Sequence, residues 1–492
     1  MKQYLISTAL VTSLASGALA QSLEDTVEMG LTALDAMGAG LTIGGQDVTA
    51  DGSVVLNDVV LAPDGPDDVT ISSPRITLSP DGDAPGGVIV TTTRLVIADP
   101  SADAPIEVVI EGEGFAITTN WMAAMNGAPS VTVVADRLSA SGGNEAHPYL
   151  KALDLGVDGL DIGFDGQFAT RSGEFTFAVD SLTADYIITD PFDSSRQDVA
   201  FAYQGYEFAV SAENLPEGED DIERFVDEDG AFSMTAASGP ISMDMDIDIE
   251  GTPLAMSGTG DGGDVEISLI DGRVVYRGTG EAVAYSIATD PAVLPLPPID
   301  ISYSGVEMDI TAPIRPTEGP EPVRLKFEFS DLTVSDAAWG LFDPEGKLPR
   351  DPATLDIDIA ASVDINMPLF EALDDDGEGD APSPLMLGTV ERVDMTRVFL
   401  TAAGATAEAT GAVDLLYQGP FPLPEGQINI SLAGIQTLAN TIGELGLMPA
   451  EEIAPMMGMM MMFAQPGDGP DTFTSQIEFK DGGITANGIP LQ

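Results

Sequence analysis

Between Leu41 and Pro320, apolar and polar residues alternate in short runs that Gly, Asp and Pro interrupt. Ser53-Val54-Val55-Leu56, Val69-Thr70-Ile71, Arg75-Ile76-Thr77-Leu78 and Val88-Ile89-Val90 are examples. Clusters such as Pro63-Asp64-Gly65-Pro66 and Pro80-Asp81-Gly82 punctuate them. A period of two puts successive side chains on opposite faces of a strand, so the pattern predicts an antiparallel meander. Val, Ile, Thr and Phe supply side chains that suit a pleated surface. Met243-Asp244-Met245-Asp246-Ile247-Asp248-Ile249-Glu250 is the plainest case, with apolar side chains on one side and four carboxylates on the other. Those carboxylates are strung along a face and do not converge. They read as a solvated sheet face that also resists edge pairing with another chain.

The pattern repeats weakly. Thr176-Phe177-Ala178-Val179-Asp180-Ser181-Leu182-Thr183 aligns with Lys326-Phe327-Glu328-Phe329-Ser330-Asp331-Leu332-Thr333, and Val133 to Ala140, with Asp136 and Leu138, is a looser copy. Each copy alternates, takes an acidic or Ser step, and resumes with Leu. This predicts a strand that bends and continues as a second strand in an array of stacked hairpins.

Helical spacing appears at the two ends. Ser22 is placed to cap a helix with Glu24 and Asp25 in its first turn, a stripe of Leu23, Val27, Leu31 and Leu34, and Gly38 as a stop. Near the C-terminus, Ile435, Leu438, Ile442 and Leu445 form a second stripe. Pro449 and Glu451-Glu452 then open another helix, and Phe473, Ser475, Ile477 and Phe479 alternate into a closing hairpin. The predicted fold is therefore mainly β: an elongated or curved antiparallel array of stacked hairpins with a few covering helices. The Pro-rich stretch from Pro291 to Pro298 divides it into a β-rich region over 21–298 with a leading helix and a β-rich region over 299–492 with a helical pair at 434–464.

The first twenty residues bear on compartment. Lys2, a short apolar run from Tyr4 to Leu14, and Ala18-Leu19-Ala20 before Gln21 make a cleavable secretory leader. With no cysteine after the leader, lipid anchoring is excluded, and with none anywhere there are no disulfides. The expected product is a soluble periplasmic protein with no transmembrane segment. The chain carries 81 acids against 18 Lys and Arg, a net charge of −63. Such a surface repels nucleic acid phosphates, so nucleic acid is not an expected partner. It is nevertheless too apolar, at 44% hydrophobic residues, for a disordered chain.

Candidate chemistry is sparse. The helix opened by Pro449 carries Met456, Met457, Met459, Met460, Met461, Met462 and Phe463. Three uses fit it: a helix packed on a sheet, a pliable apolar surface for a lipid or partner, or soft thioether ligation of copper(I). No His or Cys backs the sulfurs in the third case. The single histidine, His147, lies in a loop-like context and is expected to be exposed, and no Gly-x-Ser-x-Gly elbow accompanies it. Asp374 to Asp380 and Val226 to Gly230 superficially resemble calcium loops but lack the closing Glu. No phosphate loop or dinucleotide fingerprint occurs, and no cofactor is implied.

Trp339-Gly340-Leu341-Phe342-Asp343-Pro344-Glu345-Gly346-Lys347-Leu348-Pro349-Arg350-Asp351-Pro352-Ala353-Thr354-Leu355 is distinctive. With the leader and the closing Gly483-Ile484-Thr485-Ala486-Asn487-Gly488-Ile489-Pro490-Leu491, it resembles an uncharacterised alphaproteobacterial envelope family, domain of unknown function 2125, over most of the mature chain. That resemblance implies a compartment and an architecture, with no activity and no functional residues to carry over. More loosely, the β-array with a terminal apolar helix pair is similar to AsmA-type envelope proteins, long curved sheets whose apolar groove is associated with lipid handling. The functional expectation is a protein that cradles an apolar, lipid-like ligand or an envelope partner. The alternatives are an interaction module with a closed core and a carboxylate-based hydrolase.

Overall fold

The computed structural model describes residues 22–36, 40–62, 69–82, 84, 86–100, 104–190, 195–215, 230–249, 251–367, 387–417 and 422–491. The leader, the Pro63-Asp64-Gly65-Pro66 turn, the acidic stretch around Asp374 to Asp380, residues 226–229 and the expected stop at Gly38 lie outside the described residues. The chain forms two compact units, one from 1–215, 234–257 and 292–294, the other from 216–233, 258–291 and 295–492.

In the first unit, helix α1 (Leu23–Ala36) leads into β1 (Leu41–Val48), β2 (Val54–Leu61), β3 (Thr70–Pro80), β4 (Gly87–Thr91) and β5 (Arg94–Asp99). Next come β6 (Ile106–Glu113), β7 (Ala116–Asn120), the short α2 (Trp121–Met125), β8 (Ser130–Gly142), β9 (Leu150–Gln167), β10 (Ser172–Thr189) and β11 (Arg196–Glu213). The chain continues through β12 (Ala231–Ser238), β13 (Ile241–Ile249) and β14 (Thr252–Gly260). The meander expected from the alternation is present: β1, β2 and β3 pair in turn, β8 to β11 follow in the same way, and β11 pairs with β13, all antiparallel. β3 pairs with β4 along one half and with β5 along the other; β7 and β6 then line up on β4 and β5, and both pair with β8. So β4–β5 and β6–β7 are each one long strand with a single interruption.

The interruption recurs along β1–β3 and β8–β11. The ladders skip Gly44, Asp58, Pro74, Asp136, Gly159, Asp180 and Gly205. Asp58, Gly114, Gly159 and Gly205 have left-handed backbones, with φ of 50°, 64°, 64° and 63°. At each interruption the apolar alternation shifts phase by one residue. In β9 the apolar positions are Leu153, Leu155 and Val157 before the break, and Leu160, Ile162 and Phe164 after it. On β2, β6–β7, β9 and β11 a left-handed residue marks the break, and on every broken strand the skipped position turns the pleat over, so both halves keep their apolar residues on one face. Val54 and Leu56 precede the break in β2, Val59 follows it, and all three lie in one cluster. This corrects the reading of Val69–Ile71 and Arg75–Leu78 as separate strands. They are the two halves of β3, and Pro74 is tolerated between them because that position makes no ladder bond.

Helix α1 covers the start of this sheet. Asp25 N–H donates to Ser22 Oγ (3.2 Å) while Ser22 N–H donates to the Asp25 carboxylate (3.1 Å), a reciprocal cap. The predicted stripe is the buried face: Val27 packs with Val54, Leu56, Val59, Leu78 and Val88, and Leu23 and Leu31 close the margin.

The second unit contains β15 (Gly263–Ile270), β16 (Arg273–Gly280), β17 (Val283–Thr289), β18 (Ile299–Tyr303), β19 (Gly305–Pro313) and β20 (Glu321–Val334). Helix α3 (Asp336–Trp339), β21 (Ala353–Ile365), β22 (Gly388–Ala402), β23 (Ala405–Leu416) and β24 (Leu423–Ala433) follow. The chain closes with α4 (Ile435–Glu444), α5 (Ala450–Phe463), β25 (Gln465–Pro466), β26 (Thr472–Lys480), β27 (Gly483–Ala486) and β28 (Ile489–Pro490). β19 to β24 pair in turn, and β24 pairs with β26, which pairs with β27, again antiparallel. The strand break recurs: β20 pairs with β19 up to Ser330, turns at left-handed Asp331 (φ 56°), and continues along β18. The bend expected at the aligned copies therefore occurs at Asp136, Asp180 and Asp331.

Candidate functional site

The predicted site residues all lie on α5. Gly434, left-handed at φ 72°, starts α4, and the Asp471 carboxylate accepts from Gln436 N–H (3.0 Å) and Thr437 N–H (2.8 Å) at its first turn. Partial burial pushes the Asp471 carboxyl up, but its Thr437 and Gln436 hydrogen bonds outweigh this and hold it below its ordinary range. α5 begins after Pro449 with Glu451 and Glu452 in its first turn, as its residues predict. Its inward side is Ile453, buried, with Met457, Met460 and Phe463 half-buried. Ile453 rests over Gly443 of α4, where a Cβ would come within 2.9 Å of its Cδ1. The Phe463 carbonyl accepts from Ser475 Oγ (2.6 Å) and Asn487 Nδ2 (2.9 Å), which ties the helix end to the last strands. Met456, Met459, Met461 and Met462 face outward and are between 50% and 66% exposed. The cluster is thus divided. One side packs, and four flexible thioether side chains form a bare apolar surface.

A second apolar surface belongs to the sheet itself. Cross-strand register in the first unit lines up Val133, Ile162, Phe177 and Phe208 in one row and Leu138, Val157, Leu182 and Tyr203 in another. A third row contains Ala140, Leu155, Ala184, Phe201 and Met243. Ring pairs reinforce the rows: Phe175–Phe208 at 6.2 Å, Phe177–Tyr206 at 5.9 Å and Tyr186–Phe201 at 6.5 Å, all edge-to-face. Val179, Ala184 and Val199 are buried, but most of these side chains stay half-exposed. The described helices pack elsewhere: α1 on β1 and β2, α2 on β4, α3 on β18, and α4 on β23 and α5. Sequence reasoning anticipated an apolar face but not its individual residues. The phase shift at each break hides the rows from a search for continuous alternation.

The opposite faces differ in charge. On the first unit, Asp154 sits directly across from Asp185, Asp165 from Glu174 and Asp198 from Asp246. On the second, Glu307, Glu328 and Asp356 also stand across from one another, but the bases form a ladder with the acids. Arg277 pairs with Glu266 (3.2 Å), Lys326 with Glu307 (2.5 Å), Arg397 with Asp356 (2.9 Å) and Arg392 with Asp394 (2.7 Å) and Asp414 (2.8 Å). Hydrogen bonding to Arg392 holds the Asp394 carboxyl low. Among the described residues, no three His, Asp or Glu side chains are grouped to hold a metal ion.

His147 departs from expectation. It lies in the loop between β8 and β9 but is buried, and its Nδ1 accepts from Tyr149 N–H (3.2 Å) and Leu150 N–H (3.1 Å). Those bonds make it a loop organiser, a role with no signature in the sequence. Asp343, within the distinctive 339–355 stretch, is fully buried and accepts from Lys347 N–H (2.9 Å) and Leu348 N–H (2.8 Å).

These surfaces define a class: an antiparallel β protein with small local cores, whose sheet presents an apolar face over which no described helix packs. Residues 280–492 match the family model of an uncharacterised protein conserved in bacteria, domain of unknown function 2125. That match contains the 339–355 and 483–491 stretches, but it is shorter than the extent expected from the resemblance and does not include the leader. No curated protein and no solved structure matches the chain, and no comparison shows the expected likeness to AsmA-type proteins. No described helix is long and apolar enough to cross a membrane.

Proposed function

We propose that this is an exported periplasmic protein that carries an apolar, lipid-like chain along the open face of its sheet. The observation that supports the reading is the set of half-exposed rows across β8 to β11, with Ile162, Phe177, Phe208, Leu155 and Phe201 at their centre. Several aliphatic and aromatic side chains in register offer a long apolar track, and covering it with an acyl chain removes apolar area from water at about 25 cal/mol per Å². The four outward methionines of α5 supply a second, adaptable apolar surface, which suits an envelope partner.

The test is native mass spectrometry of the protein expressed with its leader and purified from the periplasm without detergent. A stoichiometric lipid adduct, and an N-terminus at Gln21, are expected. A ligand-free mass on folded protein defeats the carrier reading, and retention in the cytoplasm defeats the compartment.

A further inference from the structure

One end of the first unit presents a carboxylate-free apolar surface. Helix α2 and the loop after it lie beside the β9–β10 turn. Phe168 N–H donates to the Gly127 carbonyl (2.8 Å), and Gly166 N–H donates to the Pro129 carbonyl (2.8 Å). Asn120 caps α2 through Ala123 N–H (3.0 Å), and Asn126 Nδ2 donates to the Met122 carbonyl (2.9 Å), so the end is a built structure. It presents Phe168, 67% exposed, with Met125 at 49% and Met122 at 43%. Surface residues of this kind are normally scattered singly.

The charge pattern also marks this place, as it marks the α5 stretch from Ile453 to Gly467. The chain is 20% charged, yet no charged residue occurs from Phe115 to Ala135, and the 166–173 turn contains only Arg171. On a molecule of net charge −63, these two turn segments are therefore free of carboxylates. Asp81 and the loop around Gly86, against which Met122 rests, mark the border of the region.

The end is also continuous with the apolar sheet face. Phe164 lies over Gly166 and Gly173, where an added Cβ would come within 3.3 Å and 3.9 Å of its ring. Phe164 pairs across the ladder with Phe175, and Phe175 meets Phe208. An aromatic path thus runs from the turn onto the rows described above.

We propose that this end docks on the surface of a phospholipid bilayer, inserting Phe168, Met122 and Met125, and is where an acyl chain passes onto the sheet. The inference rests on the carrier reading. Headgroup phosphates repel carboxylates, which favours contact at a carboxylate-free surface; this one also leads onto the apolar rows through Phe164, Phe175 and Phe208, and aromatic and thioether side chains suit the boundary between headgroups and acyl chains. A cationic protein partner would instead choose the acidic faces.

The experiment is flotation of the mature protein with zwitterionic phosphatidylcholine vesicles, beside native mass spectrometry for bound lipid. Wild type is expected to float, and Met122→Ser/Met125→Ser/Phe168→Ser to lose vesicle affinity at least ~tenfold, since three exposed apolar anchors are removed. The triple variant should keep a cooperative thermal transition close to that of wild type, because Phe168 is largely and Met125 about half exposed and Met122 alone rests on the Gly86 loop. A Phe168→Trp variant, which removes no apolar surface, should gain emission that shifts to the blue on vesicle addition. Wild type that stays with the soluble fraction, or a triple variant that floats like wild type, overturns the docking. Flotation without any co-purified lipid overturns the carrier reading and leaves the docking standing.

Discussion

Asp343 shows how one carboxylate organises the most distinctive stretch of this chain. Burial pushes its carboxyl up, but the Leu348 and Lys347 backbone N–H bonds and the Arg350 charge outweigh this and hold it below the usual carboxylate range. A depressed folded-state value means that its stabilisation is present above the unfolded value, about 3.9, and is lost as pH falls through that value toward the depressed one. Asp343→Asn keeps the shape but has one acceptor oxygen where two N–H groups need partners. Its thermal midpoint should lie below wild type at pH 7, and the gap should narrow at pH 3. An equal gap at both pH values in thermal unfolding would show that charge is irrelevant there. The residue is visible in the sequence only as part of an unusual string. Its burial follows from the tight turn that Trp339 to Pro349 make, as does the contact between the Trp339 and Phe342 rings at 4.9 Å.

At the scale of the element, the row of strand breaks is the governing device. Gly159 and Gly205 share left-handed backbones, but their surroundings differ. A Cβ on Gly159 overlaps the Asp180 carboxylate, whereas one on Gly205 meets nothing within 4 Å. Gly205→Ala therefore isolates the backbone strain, about 1–2 kcal/mol. Gly159→Ala carries that strain and must also displace Asp180, so its loss should be larger. Urea unfolding of the two variants measures the difference, and equal losses would mean that Asp180 yields freely. The breaks were partly legible beforehand: the aligned copies place Asp136, Asp180 and Asp331 at a bend. What the copies do not reveal is that the bends lie beside one another on successive strands, because register is a relation between strands distant in sequence.

At the scale of the whole molecule, acidity and thin cores act together. The largest fully buried side chains are few (Leu34, Val27, Val54 and Asp343), so stability is spread over half-buried rows and ladders. On the first unit, three acid pairs stand directly opposite one another, an arrangement that costs stability. On the second unit most ion pairs, such as Arg277–Glu266 and Arg392–Asp414, are partly to well exposed and contribute little each. Repulsion should therefore dominate the salt response. Raising sodium chloride from about 20 mM to about 500 mM shortens the screening length several-fold and should raise the thermal midpoint by several degrees. A midpoint that is flat or falls with salt would show that the ion-pair ladder outweighs the opposed carboxylates.

The sequence by itself determined the element types: antiparallel strands from period-two alternation, α1 from its cap and stripe, and the α4–α5 pair and closing hairpin from their spacing. These are local properties, written in neighbouring residues and the two periodicities of the backbone. Tertiary structure alone decided which apolar side chains share a face, which half of the methionine cluster packs, and that His147 and Asp343 are buried. Those outcomes depend on register across strands and on the skipped positions that turn the pleats over, which no single strand specifies.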